Sequence, residues 1–310
     1  MEKVRSGRTR FCCTSSRAML TPFREHVSAG AGEGIARRSV NMETSYELGS
    51  RSEGQLSAML EGIFYTEVLK TPRYTLAWHN RAVDAYSNLA SQLNIPSGEV
   101  FSTLEEITGF FTEHRRKTTM YLTPFSTPAK LSDVLQLQGF ALAYQEAWMY
   151  YRSLCVSPRL PPRVTVDTVT DQETMRFFVE VFNGAYSGLD PREPYGQAPP
   201  EWGETLYSSF NLQMTGRRVE YYMLREDGIP AAVLLTSEIE EYAGIYSVGT
   251  VPEMRGKGYG SLITLYALAE LQRRGAKVVF LQTEKDSYNQ EFYQKLGFLT
   301  EWTAEAWTRG

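Results

Sequence analysis

The chain has 310 residues, enough for two domains of ordinary size, and its 42% hydrophobic and 22% charged residues are typical of a globular protein. The formal net charge is −4, but residues 1–41 contain eight Lys/Arg against three Asp/Glu, so residues 42–310 carry −9. An acidic body argues against nucleic-acid binding and is compatible with a cationic substrate. No run of about 18 apolar residues occurs, so we expect no transmembrane helix and no membrane partner.

Cysteine and histidine are scarce, and their positions exclude several kinds of site. The cysteines are Cys12, Cys13 and Cys155, which provide neither a disulfide framework nor a metal-ligand spacing. This pattern favours a reducing cytoplasm and predicts no metal. The histidines are His26, His79 and His114. Because none lies in the second half of the chain, a His-based triad or a His-ligated metal is excluded there.

Residues 1–41 are rich in Arg, Ser, Gly and Ala and show little periodicity. Three interpretations remain open: a disordered tail, a transit-like leader, or an extension upstream of the true start, for which Met42 is a sensible initiator.

Residues 42–156 alternate between helical and strand-like patterns. Helices are predicted at 53–70, 101–114 and about 128–137. Strands are predicted at 74–79, 85–90, 118–123 and 141–151. A proline-rich linker, residues 157–162, follows them.

Residues 163–310 begin with a predicted strand at 164–169 and a helix, opened by a capping box at Thr170–Glu173, that runs to about 182. A second helix is predicted at about 203–213. Strands are predicted at 219–225, 231–238 and 242–251, with a hairpin turn at Asp227-Gly228. A long helical pattern then starts at Ser261, and a buried strand is predicted at 277–282.

The hexapeptide Arg255-Gly-Lys-Gly-Tyr-Gly260 stands between a strand and a helix. In that position backbone N–H groups and the helix N-terminus converge on an anion, and glycine lets a phosphate approach closely. The glycine spacing fits neither a Walker loop nor a dinucleotide fingerprint. It matches Arg-x-x-Gly-x-Gly, at Arg255, Gly258 and Gly260.

Together with Phe292-Tyr-Gln-Lys-Leu-Gly-Phe298, this loop resembles the GNAT superfamily of acyl-CoA-dependent N-acyltransferases, over roughly residues 163–310. The resemblance implies that acetyl-CoA is the cosubstrate and that Tyr293 protonates the departing thiolate. Pyrophosphate contacts are implied at Arg255, Gly256, Lys257, Gly258, Tyr259, Gly260 and Ser261. Pantetheine contacts are implied at Gly249, Thr250 and Val251.

One position departs from the family pattern. Many members have an Asn seven residues before the Tyr, where this chain has Asp286. Asn289 lies closer on the same helix, and either residue, or neither, takes over that cofactor contact.

An internal repeat divides the chain. Gly139-Phe140 precedes Glu146-Ala-Trp148, and Gly297-Phe298 precedes Glu305-Ala-Trp307, each after a strand and a helix. We therefore predict an α/β protein with two GNAT-like domains, each a mixed, mostly antiparallel sheet flanked by helices, at 42–156 and 163–310. The first is a degenerate copy, because Leu135 stands where the second has Tyr293 and residues 94–99 lack the glycine loop. It is expected to wall one side of the acceptor site.

The predicted function is N-acetylation of a primary amine, in a small molecule or peptide, by direct transfer from acetyl-CoA. A Fem-type aminoacyl or peptidyl transferase and a non-catalytic acyl-CoA sensor are the alternatives. The acceptor region is predicted at 183–202, with the aromatic side chains of Tyr186, Tyr195 and Trp202. The general base stays open between a water chain and four carboxylates, which are Glu238, Glu240, Glu241 and Glu284. The oligomeric state is open as well.

Overall fold

The structure is a computed structural model that describes residues 45–152, 158–190, 192, 196–212, 214 and 216–309. Residues 1–41, for which a tail, a leader and an upstream extension are open, lie outside the described residues, as does Tyr195. The helices are α1 (Ser45–Leu60), α2 (Val100–Glu113), α3 (Leu131–Leu137), α4 (Gln172–Ala185), α5 (Pro200–Ser209), α6 (Tyr259–Arg274) and α7 (Tyr288–Lys295). The strands are β1 (Glu67–Lys70), β2 (Thr75–Trp78), β3 (Asn88–Ser91), β4 (Thr118–Leu122), β5 (Ala141–Tyr151), β6 (Val164–Thr168), β7 (Arg217–Glu226), β8 (Ile229–Ile239), β9 (Tyr242–Thr250), β10 (Val278–Glu284) and β11 (Phe298–Arg309).

The eleven strands of the described residues form one continuous sheet in the order β1-β2-β3-β4-β11-β5-β10-β9-β8-β7-β6. Two neighbouring pairs, β3 with β4 and β9 with β10, are parallel, and the remaining pairs are antiparallel. Each parallel pair is joined through a helix, α2 in the first half and α6 in the second. The predicted α/β class with a mixed, mostly antiparallel sheet is confirmed, and the two halves share that sheet.

The two halves exchange their closing strands. β5 ends the first half but pairs with β10 of the second half, from Val279 opposite Tyr151 to Glu284 opposite Glu146. β11 ends the second half but pairs with β4 of the first. The two exchanged strands also pair with each other in the centre of the sheet. Side chains of the first half are thereby carried to the middle of the second.

The first helix differs from the prediction at both ends. It begins at Ser45 and ends at Leu60, so Val68, predicted as helical, lies in β1. Gly62 stops the helix because it adopts a φ of 74°, a left-handed conformation that glycine takes without strain. Arg217 of the second half completes this end, since its Nη1 donates to the carbonyl oxygens of Ala58 and Glu61.

The helix after β6 begins where predicted, with different capping partners. Asp171 is the N-cap and accepts from the Thr174 backbone N–H at 2.7 Å, while Thr174 Oγ1 accepts from the Asp171 backbone N–H. The predicted box at Thr170 and Glu173 is therefore wrong by one residue. The helix also runs on to Ala185, beyond the predicted end near 182.

The hairpin between β7 and β8 is confirmed. Asp227 and Gly228 both have positive φ values, 49° and 82°, as a two-residue type I′ turn requires. Leu135, the counterpart of Tyr293 in the repeat, is fully buried in the core around α2 and α3. Within the part of the chain that the structure describes, no helix is long and apolar enough to span a membrane.

Candidate functional site

One cavity of about 540 Å³ opens along the second half and runs into the first. Its walls combine the glycine loop, the end of β9, the first turn of α7 and an aromatic region that includes side chains of the first half. The predicted residues Gly249, Thr250, Arg255, Gly256, Gly258, Tyr259, Gly260, Ser261, Asn289 and Tyr293 all line it. Val251 and Lys257 do not.

The glycine loop has the backbone conformation of an anion cradle. Gly256 and Gly258 have φ values of 78° and 80°, in the left-handed region. Gly258 is also the N-cap of α6, whose first-turn amides at residues 259–261 have no carbonyl partner within the helix. The aligned peptide dipoles make this helix end attractive to negative charge.

The two cations of the loop are engaged with protein groups. Arg255 donates to the backbone oxygens of Thr250 and Ala185 at 3.1 and 2.9 Å, and its Nη1 lies 3.2 Å from an Asp190 carboxylate oxygen. Lys257 is not part of the cavity lining and pairs with Glu226 at 2.7 Å. Arg255 therefore ties the end of α4 to the end of β9.

β9 and β10 separate beside the loop. Their pairing ends at Gly244 and Phe280, so residues 245–250 of β9 have no strand partner on that side. A register shift against β8 accompanies Ser247, whose φ is 53°. The split leaves three buried cavity-lining atoms, Ser247 Oγ, Gln282 Nε2 and Thr283 Oγ1, without a hydrogen-bond partner within the described structure. Such atoms suit a ligand that carries amide groups.

Gly249 is needed where α4 crosses β9. A Cβ at this position would lie 2.7 Å from Ala185 Cβ and 3.2 Å from the Tyr186 ring. The adjacent Tyr186 hydroxyl donates to the Val248 carbonyl oxygen at 3.0 Å and holds the helix end against the split strand. Val251 continues the strand by donating its N–H to Ala231 O.

α7 contributes two predicted residues to the cavity. Tyr293 packs edge-on against Phe292 and Phe298 and lines the cavity together with Asn289. Asp286 does not line it. Asp286 lies before the helix with a φ of 59°, and its backbone N–H donates to Gln290. Of the two side chains proposed for the cofactor contact, Asn289 is the one that faces the cavity.

Aromatic side chains line the other end of the cavity. Tyr86 stacks on Tyr144 with ring centroids 4.2 Å apart, and Trp202 meets Phe64 edge-on at 5.5 Å. Trp202 is held in place because its Nε1 donates to Ser87 Oγ at 2.8 Å. Trp202 and Tyr186 are two of the three aromatic residues predicted for the acceptor region.

Glu146 is a carboxylate from the first half that lines this cavity. Its Oε2 accepts from the Tyr121 hydroxyl at 2.5 Å, and the same hydroxyl accepts from Trp148 Nε1 at 2.8 Å. Burial raises the pKa of Glu146 to about 7; the Tyr121 hydrogen bond opposes that change, and the nearby Glu284 charge adds to it.

The four carboxylates considered as bases lie outside the cavity lining. Glu238 pairs with Arg274 at 2.8 Å, and Glu241 pairs with Lys277 at 2.6 Å. Glu240 is exposed in the turn between β8 and β9. Glu284 lies directly opposite Glu146 in the sheet, and burial raises its pKa.

Sequence reasoning missed Glu146 as a site residue because it assigned the chemistry to the second half. The Glu-Ala-Trp repeat marked the residue, but no pattern in the sequence indicated that β5 crosses into the other half. Among the described residues, no group of three or more His, Cys, Asp or Glu side chains is arranged to hold a metal ion.

Comparisons with known proteins agree with this architecture. Residues 180–298 match the family model of the Acetyltransferase (GNAT) family. A GCN5-related N-acetyltransferase from Kribbella flavida superposes with a TM-score of 0.61 at 20% identity, over 84% of this chain and 94% of that one. A tandem GNAT protein from the clavulanic acid biosynthesis pathway superposes with a TM-score of 0.56 at 16% identity, over 76% and 78%.

A GCN5-related N-acetyltransferase from Sphaerobacter thermophilus gives a TM-score of 0.55 at 15% identity, over 76% of this chain and 80% of that one. At such identities the likeness concerns the fold. No curated protein shows significant similarity to the chain. The matched segment contains the glycine loop, the split strands and Tyr293, and the fold extends over both halves. The second half therefore contains a segment that matches the GNAT family model, and the chain shares its fold over both halves with these solved structures.

Proposed function

We propose that the protein is an N-acetyltransferase that moves an acetyl group from acetyl-CoA directly to a primary amine. The observation that carries this proposal is the continuous cavity that joins an anion cradle, a split between two parallel strands and an aromatic region. A cofactor with a pyrophosphate and an amide-bearing arm requires the first two features in that order. The aromatic region supplies space for a second substrate beside them.

The residues of this chain fit the parts of acetyl-CoA by their chemistry. The loop from Arg255 to Ser261 offers amides to the pyrophosphate, and residues 249–251 flank the pantetheine arm. Ser247 Oγ, Gln282 Nε2 and Thr283 Oγ1, which have no partner among the described residues, offer hydrogen bonds where the arm would lie. When bound, acetyl-CoA supplies a thioester that reacts with an amine.

The protein contributes proximity, donors and a proton. Holding amine and thioester together supplies several kcal/mol of the rate enhancement. Backbone amides of the separated β9 strand face the carbonyl oxygen as negative charge develops on it. Tyr293 donates its phenolic proton to the departing sulfur.

The cofactor assignment is tested by thermal shift with acetyl-CoA on matched glycine variants. Gly258→Val is expected to abolish the shift, because a β-branched residue cannot keep the left-handed conformation that presents the loop amides. Gly275→Val is the control, since Gly275 ends the same helix with a φ of 94° and also has open space around it. Both variants lose intrinsic stability, but only Gly258→Val loses the ligand effect. An unchanged shift in Gly258→Val would place acetyl-CoA elsewhere.

Release of coenzyme A thiol across a panel of amines separates the enzyme from its alternatives. Stabilisation by acetyl-CoA without turnover on any amine would favour a sensor, and transfer of an aminoacyl group instead would favour a Fem-type enzyme. Tyr293→Phe is expected to slow thiol release while leaving the thermal shift intact. A cytoplasmic location, expected from the cysteine usage, belongs to the same proposal.

A further inference from the structure

We propose that the acceptor is a primary amine with a single positive charge on an aromatic or alkyl body, and that Glu146 binds its ammonium group and takes its proton. This inference rests on the proposed acetyltransferase function and adds the class of acceptor and one further catalytic residue. It places that residue on a strand of the half that the sequence marked as degenerate.

The charges on the cavity wall are few and lie at opposite ends. Among the described residues that line the cavity, the carboxylates are Glu146 and Asp190, and the cations are Arg192 and Arg255. Asp190 is used by both arginines, at 3.0 and 3.2 Å, beside the glycine loop. Glu146 is thus the carboxylate that faces the aromatic end. Its single negative charge can pair with one positive charge on an acceptor.

The surroundings of Glu146 suit an apolar body. Phe64, Tyr86, Tyr144 and Trp202 form the aromatic part of the wall, with the stacked and edge-on contacts described above. Aromatic faces attract an ammonium ion and pack against rings or alkyl chains. A second ammonium group or a carboxylate on the acceptor would be buried here without a partner, which is strongly unfavourable.

The carboxylate is held close to the split between β9 and β10. Glu146 on β5 is opposite Glu284 on β10. Gln282, two residues before Glu284 on β10, lines the cavity beside the split. Tyr121, anchored by Trp148, fixes one carboxylate oxygen. An ammonium group bound to Glu146 therefore lies next to the strand opening where the thioester is proposed to sit.

The titratable groups around Glu146 leave it as the one that changes charge near neutral pH. Burial raises the pKa of Tyr65, Tyr121 and Tyr246, so these three phenols remain protonated. Glu284, on β10, raises the pKa of Glu146, whereas the Tyr121 hydrogen bond lowers it. With a pKa of about 7, Glu146 is a base matched to the working pH.

The proton balance of the transfer is complete with these groups. The ammonium group gives one proton to Glu146, and the neutral amine forms the C–N bond while the C–S bond breaks. Tyr293 gives its phenolic proton to the departing sulfur, and the second proton of the nitrogen, lost as the amide forms, restores the Tyr293 hydroxyl. Glu146 then releases its proton to water before the next turnover.

Matched acceptors test the predicted class. 2-Phenylethylamine is compared with phenylalanine, which adds a carboxylate to the same body, and hexylamine with 1,6-diaminohexane, which adds a second cation. We expect kcat/KM to be about 100-fold or more higher for the first member of each pair, because the second charge finds no partner. Equal or higher values for phenylalanine and the diamine would overturn the acceptor class.

Variants test the role of Glu146. Glu146→Gln keeps the shape and still accepts from Tyr121, but it carries no charge and takes no proton. We expect kcat/KM to fall by about 100-fold or more. The acid limb near pH 7 in the pH profile of kcat/KM should disappear, while the thermal shift caused by acetyl-CoA remains. Wild-type turnover by this variant would overturn the proposal.

Glu284→Gln distinguishes a titrating role from a structural one. Removing the neighbouring charge lowers the pKa of Glu146, so the acid limb of the pH–rate profile should move to lower pH. An unmoved limb would show that another group titrates. Absence of acetyl-CoA stabilisation, or of turnover with every amine, would refute the acetyltransferase function itself; turnover with the wrong acceptors or without Glu146 refutes only this inference.

Discussion

At the scale of single residues, Glu146 combines burial with a charge. Its pKa is raised from 4.5 to about 7. Between these two pH values, Glu146 keeps its proton in the folded chain but has released it in the unfolded chain. The contribution of Glu146 to the free energy of unfolding is therefore fully present below about pH 4.5 and is lost as the pH rises through about 7. A group placed for proton transfer thereby weakens the fold at the pH where it works.

Glu146→Gln should for this reason stabilise the ligand-free protein in a pH-dependent manner. We expect a gain at pH 8 that exceeds the gain at pH 5 by on the order of 2 kcal/mol, since the variant carries no buried charge. Urea unfolding of both proteins at the two pH values measures this difference. An equal effect at both pH values would mean that Glu146 is not desolvated in the folded chain.

At the scale of elements, α1 shows how one half completes the other. The helix ends with carbonyl groups directed at Arg217, which donates to Ala58 O and Glu61 O, and Ser237 Oγ donates to Met59 O at 2.9 Å. Carbonyls at a helix end need such partners when they are buried. The guanidinium group of the second half therefore acts as the C-terminal cap of a helix in the first.

Arg217→Met should remove this cap while keeping much of the side-chain volume. We expect the free energy of unfolding to fall by about 2–4 kcal/mol, because several buried carbonyl oxygens lose their donor. Urea denaturation measures the loss. Arg218→Met is the control, since Arg218 is mostly exposed and pairs with Glu220, and it should change stability by less than about 1 kcal/mol. Equal losses in both variants would show that the contact with α1 contributes nothing.

Local patterns predicted elements well and contacts between halves poorly. The alternating run at 141–151 was predicted with the limits that β5 has, and Asp227-Gly228 forms the expected turn. The first helix is predicted as far as residue 70 because Ile63, Phe64 and Val68 keep helical spacing, whereas the helix ends at Leu60, before Gly62. The position of Glu146 depends on strand exchange, a pairing between distant segments that no local pattern encodes.

The whole molecule is organised by that exchange. β5 pairs with β10, and β11 pairs with β4, so each half forms part of the other's sheet. The domain limits predicted at 42–156 and 163–310 describe the repeat in the sequence. Separating the halves along those limits would break three antiparallel pairings, β5 with β10, β5 with β11 and β11 with β4, and expose strand edges.

A cut between the halves tests this organisation. A protease site introduced between residues 152 and 158 and cleaved in the folded protein should leave two fragments that elute together on gel filtration. They should part only in denaturant, because the exchanged strands hold them without a covalent link. Uncleaved protein with the same site is the control. Elution as two separate folded species would contradict the strand pairing.

The exchange of β5 and β11 also bears on how such a protein can change over time. A duplicated domain normally leaves a spare copy, free to accumulate substitutions or to be lost once the other copy performs the function. Here neither copy is spare, because the strand that closes each sheet is encoded in the other copy. Gene truncation that removes either half would therefore also remove a strand from the sheet of the other half, so a smaller protein cannot arise by the loss of one copy.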